Sequence, residues 1–252
     1  MRGLKGRRAI IAGGAGGIGA AICRRLGEEG MHVVCADISE KRGRVIAEEL
    51  TREGLAVSFE RLDASDPESW DRLAAGQPRI DALVSAAYFA RGGPIQALSN
   101  EEWKENFRVT LDGAFYGMRA CVRRMERGAA IVNISSVAAR LGMPMNAGYG
   151  PAKSAVSGLS RIAAVTFAPQ GIRVNSLSPG FITTRALDGL GELMASTHGD
   201  AAAAKQSLLD RIPLGAFGAP ADIAGVVAFL ISDDAAYVTG IDLVVDGGYM
   251  AA

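Results

Sequence analysis

The chain has 252 residues, and its 27 Lys plus Arg balance 27 Asp plus Glu, so the formal net charge is zero. Nucleic-acid-binding proteins normally carry a basic surplus, so this balance argues against a nucleic-acid partner. Hydrophobic residues make up 49 % of the chain, which excludes disorder, and no apolar run approaches the roughly 18 residues of a membrane span.

Short apolar runs alternate with longer amphipathic stretches. A first strand is predicted at Ala9–Ala12, and a helix follows from Ile18 to Glu29. Ser39 is the expected cap of a second helix over residues 40–53. The remaining strands are predicted at His32–Ala36, Leu55–Leu62, Asp81–Ser85, Ala130–Ile134, Arg173–Leu177 and Asp242–Val245, with further helices from Tyr149 through Ala163 and over 220–231.

Apolar strands separated by helices indicate a parallel sheet covered on both faces. The opening strand–helix–strand unit is typical of a doubly wound sheet. We therefore predict an α/β fold of the Rossmann type, a single domain over residues 1–252 with seven parallel strands flanked by helices. The stretch at about 184–216 mixes glycine, alanine and charged residues, and it is predicted to be an irregular substrate-binding loop or lid.

The first predicted strand ends in a glycine-rich turn, residues 13–19, which opens the first helix. Glycines permit positive φ and close approach of a ligand, and a helix N-terminus attracts a pyrophosphate. This position between strand and helix predicts a dinucleotide site. Asp37 ends the second strand, where its carboxylate can accept hydrogen bonds from the adenosine ribose and repel a 2′-phosphate. Because no Arg or Lys occupies positions 38 and 39, NAD is favoured over NADP.

Three polar residues form a candidate site for proton transfer. Tyr149 and Lys153 are four residues apart, which places them on one face of a helix. An ammonium near a phenol favours the phenolate and makes it a usable base. Ser136 follows the fifth strand, at the edge of the sheet where ligands bind in α/β folds. The Tyr/Lys spacing means little alone, and it gains weight from the glycine turn and the serine.

The N-terminus and the cysteines bear on location. The basic first eight residues precede an apolar run that is too short for a signal peptide. Cys23, Cys35 and Cys121 are scattered and form no CxxC or Cys/His cluster, so neither a disulfide framework nor a metal site is indicated. A reduced cytoplasmic setting is expected.

With these motifs the chain resembles the short-chain dehydrogenase/reductase family over nearly its whole length. Residues 12–19 resemble the family's glycine turn, and residues 133–136 resemble the segment that ends in its catalytic serine. Residues 149–153 match its YxxxK motif. Residues 179–184 resemble the Pro-Gly stretch that wraps the nicotinamide, and residues 245–248 resemble a C-terminal marker.

The resemblance implies an NAD-dependent oxidoreductase that interconverts a secondary alcohol and a ketone. Tyr149 would be the acid/base, Lys153 would lower its pKa and bind the nicotinamide ribose, and Ser136 would orient the substrate oxygen. The family is usually a homotetramer, built partly from the helices that carry residues 103–125 and 149–167. Besides Tyr149 and Lys153, the predicted cofactor-binding residues are Gly13, Gly16, Gly17, Ile18, Gly19, Asp37, Ile38, Asp63, Ala64, Ala86, Pro179, Gly180, Ile182 and Thr184.

The substrate pocket is less well defined by the sequence. Methionine and phenylalanine near the predicted site suggest an apolar substrate body. The predicted pocket residues are Ala138, Met143, Met145, Asn146 and Phe181. Three cations could meet a substrate carboxylate, although each is expected to be a solvated surface charge; these are Arg91, Arg140 and Arg185.

The sequence departs from the family's pattern in three places. Ala12 replaces a threonine, and residues 85–88, Ser-Ala-Ala-Tyr, replace Asn-Asn-Ala-Gly. Because both sides of that contact lose their polar groups, the two replacements together are expected to leave no buried polar group unpaired. Tyr88 is bulkier than the usual glycine; it could reshape the site or stack near the nicotinamide, but outward packing is the favoured expectation. Thr110 replaces an asparagine often counted as a fourth catalytic member, so an altered proton relay behind Lys153 is expected.

Two other functions remain open. A 3-oxoacyl thioester reductase fits the same motifs, but Asp37 argues against it because such reductases commonly prefer NADPH. A catalytically weak NAD-binding regulator would explain the changes at Thr110 and Tyr88, since fold alone does not fix function. The intact serine, tyrosine and lysine weigh against that reading.

Overall fold

The computed structural model describes residues 1–184, Leu187 and 200–251. Seven strands form its centre: β1 Arg8–Ala12, β2 His32–Asp37, β3 Val57–Arg61, β4 Ala82–Ser85, β5 Ala130–Ile134, β6 Arg173–Pro179 and β7 Asp242–Val245. The helices are α1 Gly17–Glu28, α2 Glu40–Arg52, α3 Pro67–Ala75, α4 Asn100–Phe107, α5 Gly113–Cys121, α6 Tyr149–Phe167, α7 Ala201–Leu209 and α8 Pro220–Ile231. A π-helical turn, Arg108–Asp112, joins α4 to α5.

The strands form one sheet in the order β3-β2-β1-β4-β5-β6-β7, and every neighbouring pair is parallel. Parallel strands need crossover helices, which cover both faces and bury the strands. All seven predicted strands are present, and the expected doubly wound α/β fold is confirmed. The order of the strands along the chain reverses between β1 and β4, which opens a crevice at their carboxyl ends.

Two apolar layers hold the helices to the sheet. Successive strand residues point to opposite faces, so Ile10 and Ile11 enter different layers. Ile22 of α1 and Val227 of α8 belong to the layer that contains Ile11. Trp70 of α3 packs in the other layer, and its indole N–H donates to the carbonyl oxygen of Ala64 at 2.9 Å. None of the described helices has the length and apolar character needed to cross a bilayer.

Two local predictions were wrong. Ser39 occupies the position before α2, but its hydroxyl caps no helical N–H and instead accepts a 3.1 Å hydrogen bond from Arg42 Nε. The predicted irregular stretch at 184–216 contains the helix α7, whose first turn is capped by Asp200, which accepts from the Ala202 N–H at 2.8 Å. Arg185 and the other residues of that stretch up to 199, apart from Leu187, lie outside the described residues.

Candidate active site

The structure brings Ser136, Tyr149 and Lys153 together beyond the carboxyl end of β5. Ser136 lies two residues past the strand, and Tyr149 is the first residue of α6. Burial raises the pKa of the Tyr149 phenol, and a hydrogen bond with the Ser136 hydroxyl opposes that rise. The phenol therefore depends on its neighbours to ionise.

Lys153 lies one helical turn after Tyr149, and its side chain points back to the strand. Its Nζ donates to the Ile134 carbonyl oxygen at 2.6 Å and lies 5.7 Å from the centre of the Tyr149 ring. The lysine is only 2 % exposed, and burial lowers its pKa to about 7. A positive charge at this position favours the phenolate form of Tyr149. The three side chains can accept a proton from an alcohol or return one to a ketone.

A chain of hydrogen bonds supports the main chain of Lys153. The Ser135 hydroxyl donates to the Lys153 carbonyl oxygen at 3.1 Å and contacts the Ser157 hydroxyl at 2.8 Å. Ser157 in turn donates to Asp242, which also accepts from Arg140 Nε at 3.0 Å. Arg140, expected to be a solvated charge, is thus paired with a carboxylate whose side chain is only 5 % exposed. Sequence reasoning missed this network because its members are far apart in the chain.

The glycine turn packs tightly between β1 and the segment that follows β4. Gly13 has φ +78°, and a Cβ there would lie 2.6 Å from the Ala87 nitrogen, so only glycine fits. The N–H groups of Gly13 and Gly14 donate to the Ala36 carbonyl oxygen at 2.8 and 3.1 Å. A glycine backbone without side chains at a helix N-terminus lets a pyrophosphate approach the N–H groups closely. The residues present therefore fit a dinucleotide.

The rest of the turn continues this close packing. The Gly16 N–H donates to the Gly13 carbonyl oxygen at 3.0 Å, and a Cβ at Gly19 would lie 2.1 Å from that same oxygen. A Cβ at Gly17 would lie 2.7 Å from Thr184 Cγ2, so the Pro-Gly segment after β6 meets the start of α1. Ile18, in the first turn of α1, packs against the core.

Asp37 lies between the glycine turn and α2. One carboxylate oxygen accepts from the Ala15 N–H at 3.0 Å, and the other accepts from the Ser39 N–H at 2.8 Å. A carboxylate can accept about four hydrogen bonds, so acceptor capacity remains for a ligand. Ile38, the next residue, is exposed. Arg42, bound to the Ser39 hydroxyl, is a nearby exposed cation.

The remaining predicted cofactor residues lie at strand ends. Asp63 follows β3. Burial works to raise the pKa of its carboxyl, but hydrogen bonds from the Ser65 hydroxyl and N–H, together with the nearby charges of Arg108 and Arg61, lower it. The Ala86 N–H, after β4, donates to the Ala12 carbonyl oxygen at 2.8 Å. The others are Ala64 in the loop before α3, Pro179 at the end of β6, and Gly180, Ile182 and Thr184 just beyond it.

An apolar cluster lies beside these residues. Phe181 packs against Tyr249 with the ring centres 4.9 Å apart, and Met143 packs on the same cluster. Asn146 Nδ2 donates to Met143 Sδ at 3.3 Å. The cluster is completed by Leu187, Leu208 and Ile212.

The other predicted pocket residues lie at two nearby points. The Met145 carbonyl oxygen accepts from the Gly93 N–H at 2.8 Å, so Met145 and Asn146 pair with the segment after β4. Ala138 lies beside the serine, since its N–H donates to Ser136 Oγ at 3.1 Å. Their contact with a substrate stays a prediction.

Tyr88 points toward the site rather than outward, so that expectation was wrong. Its ring centre lies 5.8 Å from that of Tyr149, at an interplanar angle of 67°. Lys153 Nζ lies over the Tyr88 ring, 5.5 Å from its centre. The side chain is 45 % exposed, so it forms part of the rim. The available sequence signal was its position just past the carboxyl end of a central strand.

The other departures have physical consequences. Thr110 lies in the π-helical turn, only 3 % exposed, and its hydroxyl accepts from the Phe89 N–H at 3.2 Å. Ser85, in register with Ala12 on β1, has a buried hydroxyl with no hydrogen-bond partner among the described residues. The expectation that no buried polar group is left unpaired was therefore wrong at Ser85. An altered proton relay at Thr110 stays a prediction.

Comparison with known proteins places the chain among oxidoreductases. The family model described as enoyl-(acyl carrier protein) reductase matches residues 13–250. The chain is 36 % identical over 248 residues to cyclopentanol dehydrogenase of Comamonas sp. (strain NCIMB 9872), with 96 % of each chain covered. It is 35 % identical over 263 residues to the NADP-dependent (R)-specific alcohol dehydrogenase of Lentilactobacillus kefiri, with 98 % of each covered.

A solved structure extends the likeness to three dimensions. A variant of actinorhodin polyketide ketoreductase, determined with NADPH, has a TM-score of 0.92 and 28 % identity to this chain, and 99 % of each chain is covered. The similarity therefore spans the whole sheet and the candidate site.

Proposed function

The chain belongs to the short-chain dehydrogenase/reductase family, and we propose that it is an NAD-dependent dehydrogenase that interconverts a secondary alcohol and a ketone. The observation that carries the proposal is the meeting of Ser136, Tyr149 and Lys153 beside the glycine turn. A regulator that only bound the dinucleotide could use Lys153 on the ribose, but it would have no need of a buried Tyr149 phenol hydrogen-bonded to Ser136.

The reaction divides its work between the cofactor and the chain. Bound nicotinamide supplies the hydride acceptor in alcohol oxidation and the hydride donor in ketone reduction. The Ser136 hydroxyl holds the substrate oxygen in place. Tyr149 takes the hydroxyl proton on oxidation and returns it on reduction, and the Lys153 ammonium stabilises the phenolate between these steps. Lys153 would also hold the nicotinamide ribose of the bound cofactor.

The choice of NAD rests on Asp37. Its carboxylate is fixed by the Ala15 and Ser39 N–H groups at the end of β2, where it would accept from ribose hydroxyls and repel a 2′-phosphate. The relative from Lentilactobacillus kefiri is NADP-dependent by name, so family membership alone leaves the cofactor open. Arg42 is the nearby cation that would favour NADP, because a guanidinium can bind a 2′-phosphate. Its Nε instead donates to Ser39 Oγ.

We propose a compact apolar alcohol, such as an alicyclic one, as the substrate. The cluster around Phe181 and Met143 is apolar and includes the residue directly after Gly180, and Arg140 is paired with Asp242. The relative from Comamonas is a cyclopentanol dehydrogenase. A substrate-binding role for the stretch at about 184–216 is part of this proposal; residues 185, 186 and 188–199 of it lie outside the described residues.

A 3-oxoacyl thioester reductase is the second candidate. The observation in its favour is the high structural similarity to a polyketide ketoreductase with NADPH. Asp37 opposes it, since it disfavours a 2′-phosphate.

We further propose a cytoplasmic homotetramer. Phe115 on α5 and Ile162 and Val165 on α6 are exposed apolar side chains on the two helices expected to form its interfaces. Light scattering of the purified protein tests the assembly, and a monomer at all concentrations would contradict it.

The function is tested by following NADH formation with a panel of secondary alcohols that includes cyclopentanol and cyclohexanol. We expect oxidation with NAD, a much lower kcat/KM with NADP, and a loss of about a thousandfold in Tyr149→Phe. A preference for NADPH with 3-oxoacyl thioesters would favour the second candidate. Cofactor binding without turnover of any alcohol or ketone would favour a regulator.

A further inference from the structure

We infer that Tyr88 is a positioning residue of the proposed acid/base pair: its ring holds the Lys153 ammonium against Tyr149, and Thr110 fixes the segment that carries it. The inference depends on the roles proposed for Tyr149 and Lys153. Four contacts support it, each between side chains or main-chain groups near the carboxyl ends of β4 and β5.

Two aromatic rings and one carbonyl surround the ammonium. Lys153 Nζ lies 5.5 Å from the centre of the Tyr88 ring and 5.7 Å from that of Tyr149, and it donates to the Ile134 carbonyl oxygen. The face of an aromatic ring attracts a cation within about 6 Å, most strongly when the cation is desolvated. Lys153 is almost fully buried. The Tyr88 ring therefore stabilises the charged form of the lysine.

Burial acts on Lys153 in the opposite direction, because it lowers the pKa toward neutrality. Among the described residues, the titratable groups that face this ammonium are two phenols, Tyr149 from α6 and Tyr88 from the segment after β4. From β5 the neighbour is the neutral Ile134 carbonyl. Among the described residues, no carboxylate shifts the pKa of Tyr149 or of Lys153. The faces of the two aromatic rings therefore stabilise the ammonium in place of an anion.

Thr110, in the π-helical turn between α4 and α5, holds the backbone next to Tyr88. Its hydroxyl accepts from the N–H of Phe89, the residue directly after Tyr88. The hydroxyl belongs to a buried residue in the π-helical turn, so it is a fixed anchor. The two residues that depart from the family's pattern, Tyr88 and Thr110, are therefore coupled through the backbone of Phe89.

The first test compares Tyr88→Leu, which keeps an apolar volume but removes the ring, with Tyr88→Phe, which keeps the ring. Without the ring the ammonium is less favoured, so less positive charge stabilises the Tyr149 phenolate. The pH at which alcohol oxidation reaches half its maximal kcat should rise by about 0.5–1 unit in Tyr88→Leu. Tyr88→Phe keeps the ring and removes only the hydroxyl, whose charge raises the Tyr149 pKa, so its half-maximal pH should stay at or below the wild-type value. Equal shifts in both variants would overturn the inference.

The second test addresses the anchor. Thr110→Val removes the hydroxyl and should shift the pH profile in the same direction as Tyr88→Leu. Thr110→Ser keeps the hydroxyl and should keep the wild-type pH profile. In the Tyr88→Leu background, Thr110→Val should add nothing, because the ring that it positions is gone. Additive shifts would show that the two residues act independently and would overturn the coupling. Thermal unfolding of each variant checks that the fold is intact.

A third measurement does not need activity. Lysine labelled at Cε allows the titration of Lys153 to be followed by NMR in the protein without cofactor, with Lys153→Met identifying its signal. The pKa of Lys153 should fall in Tyr88→Leu and stay unchanged in Tyr88→Phe. An unchanged titration in Tyr88→Leu would overturn the inference. A shifted titration in a protein that oxidises no alcohol would instead refute the proposed function and leave the contact standing.

Discussion

The ammonium of Lys153 donates a 2.6 Å hydrogen bond to the main-chain carbonyl oxygen of Ile134, the last residue of β5. The lysine side chain thus ties the first turn of α6 to the central sheet. Its charged form is costly to keep in this buried position, because burial lowers the pKa of Lys153 to about 7. This contact has consequences for stability as well as for the proposed chemistry.

Lys153→Met should stabilise the fold near neutral pH and abolish most activity. Burial lowers the pKa of Lys153 from 10.5 to about 7. Between these values the unfolded chain binds a proton that the folded chain does not, so wild-type stability rises with pH across this window. The advantage of Lys153→Met should therefore be largest at or below pH 7 and shrink toward about pH 10. Denaturant unfolding at several pH values measures it; an advantage independent of pH would contradict the buried cation.

Asp37→Ala should weaken discrimination between NAD and NADP. The change removes the carboxylate that would accept from the ribose and repel a 2′-phosphate, and it releases the Ala15 and Ser39 N–H groups. We expect kcat/KM for NAD to fall about tenfold or more while that for NADP rises or stays constant. Glu40→Ala, an exposed carboxylate in the first turn of α2, is the control and should leave the ratio unchanged.

Gly17→Ala should impair cofactor binding through Thr184. A Cβ at position 17 would lie 2.7 Å from Thr184 Cγ2, closer than side-chain atoms approach. Displacement of Thr184 should raise the KM for NAD. Thr184→Ser removes that methyl group and should partly restore the KM in the double variant. If the double variant binds NAD no better than Gly17→Ala, the defect comes from the turn backbone and not from this contact.

Asp242→Asn should destabilise the fold. The carboxylate accepts from Arg140, Ser157 and Ser178, and an amide cannot replace all three acceptor interactions. Loss of a buried, charged acceptor costs about 1–3 kcal/mol. Asp234→Asn, which breaks an exposed ion pair with Arg2, is the matched control and should leave the unfolding midpoint unchanged. Equal midpoints for the two variants would contradict the role given to Asp242.

The sheet was predictable because most of its strands contain a short apolar run, and the glycine turn was predictable because its position between strand and helix is distinctive. The direction of Tyr88 was not, since it depends on the backbone N–H of Phe89, which is held by Thr110, 21 residues after Phe89. Ser39 failed as a cap because Asp37 binds its N–H and Arg42 binds its hydroxyl. The helix α7 was missed because its alanine run lacks apolar periodicity.

The strand order separates the two ends of the candidate site. Asp37 ends β2 and Ile134 ends β5, and β1 and β4 lie between these strands. At about 4.8 Å per strand, the separation is about 14 Å. Groups that far apart and without a shared partner usually respond independently to substitution. Substitutions that change coenzyme preference at Asp37 should therefore leave proton transfer at Lys153 unchanged, so the two properties can be engineered, or can evolve, independently of each other.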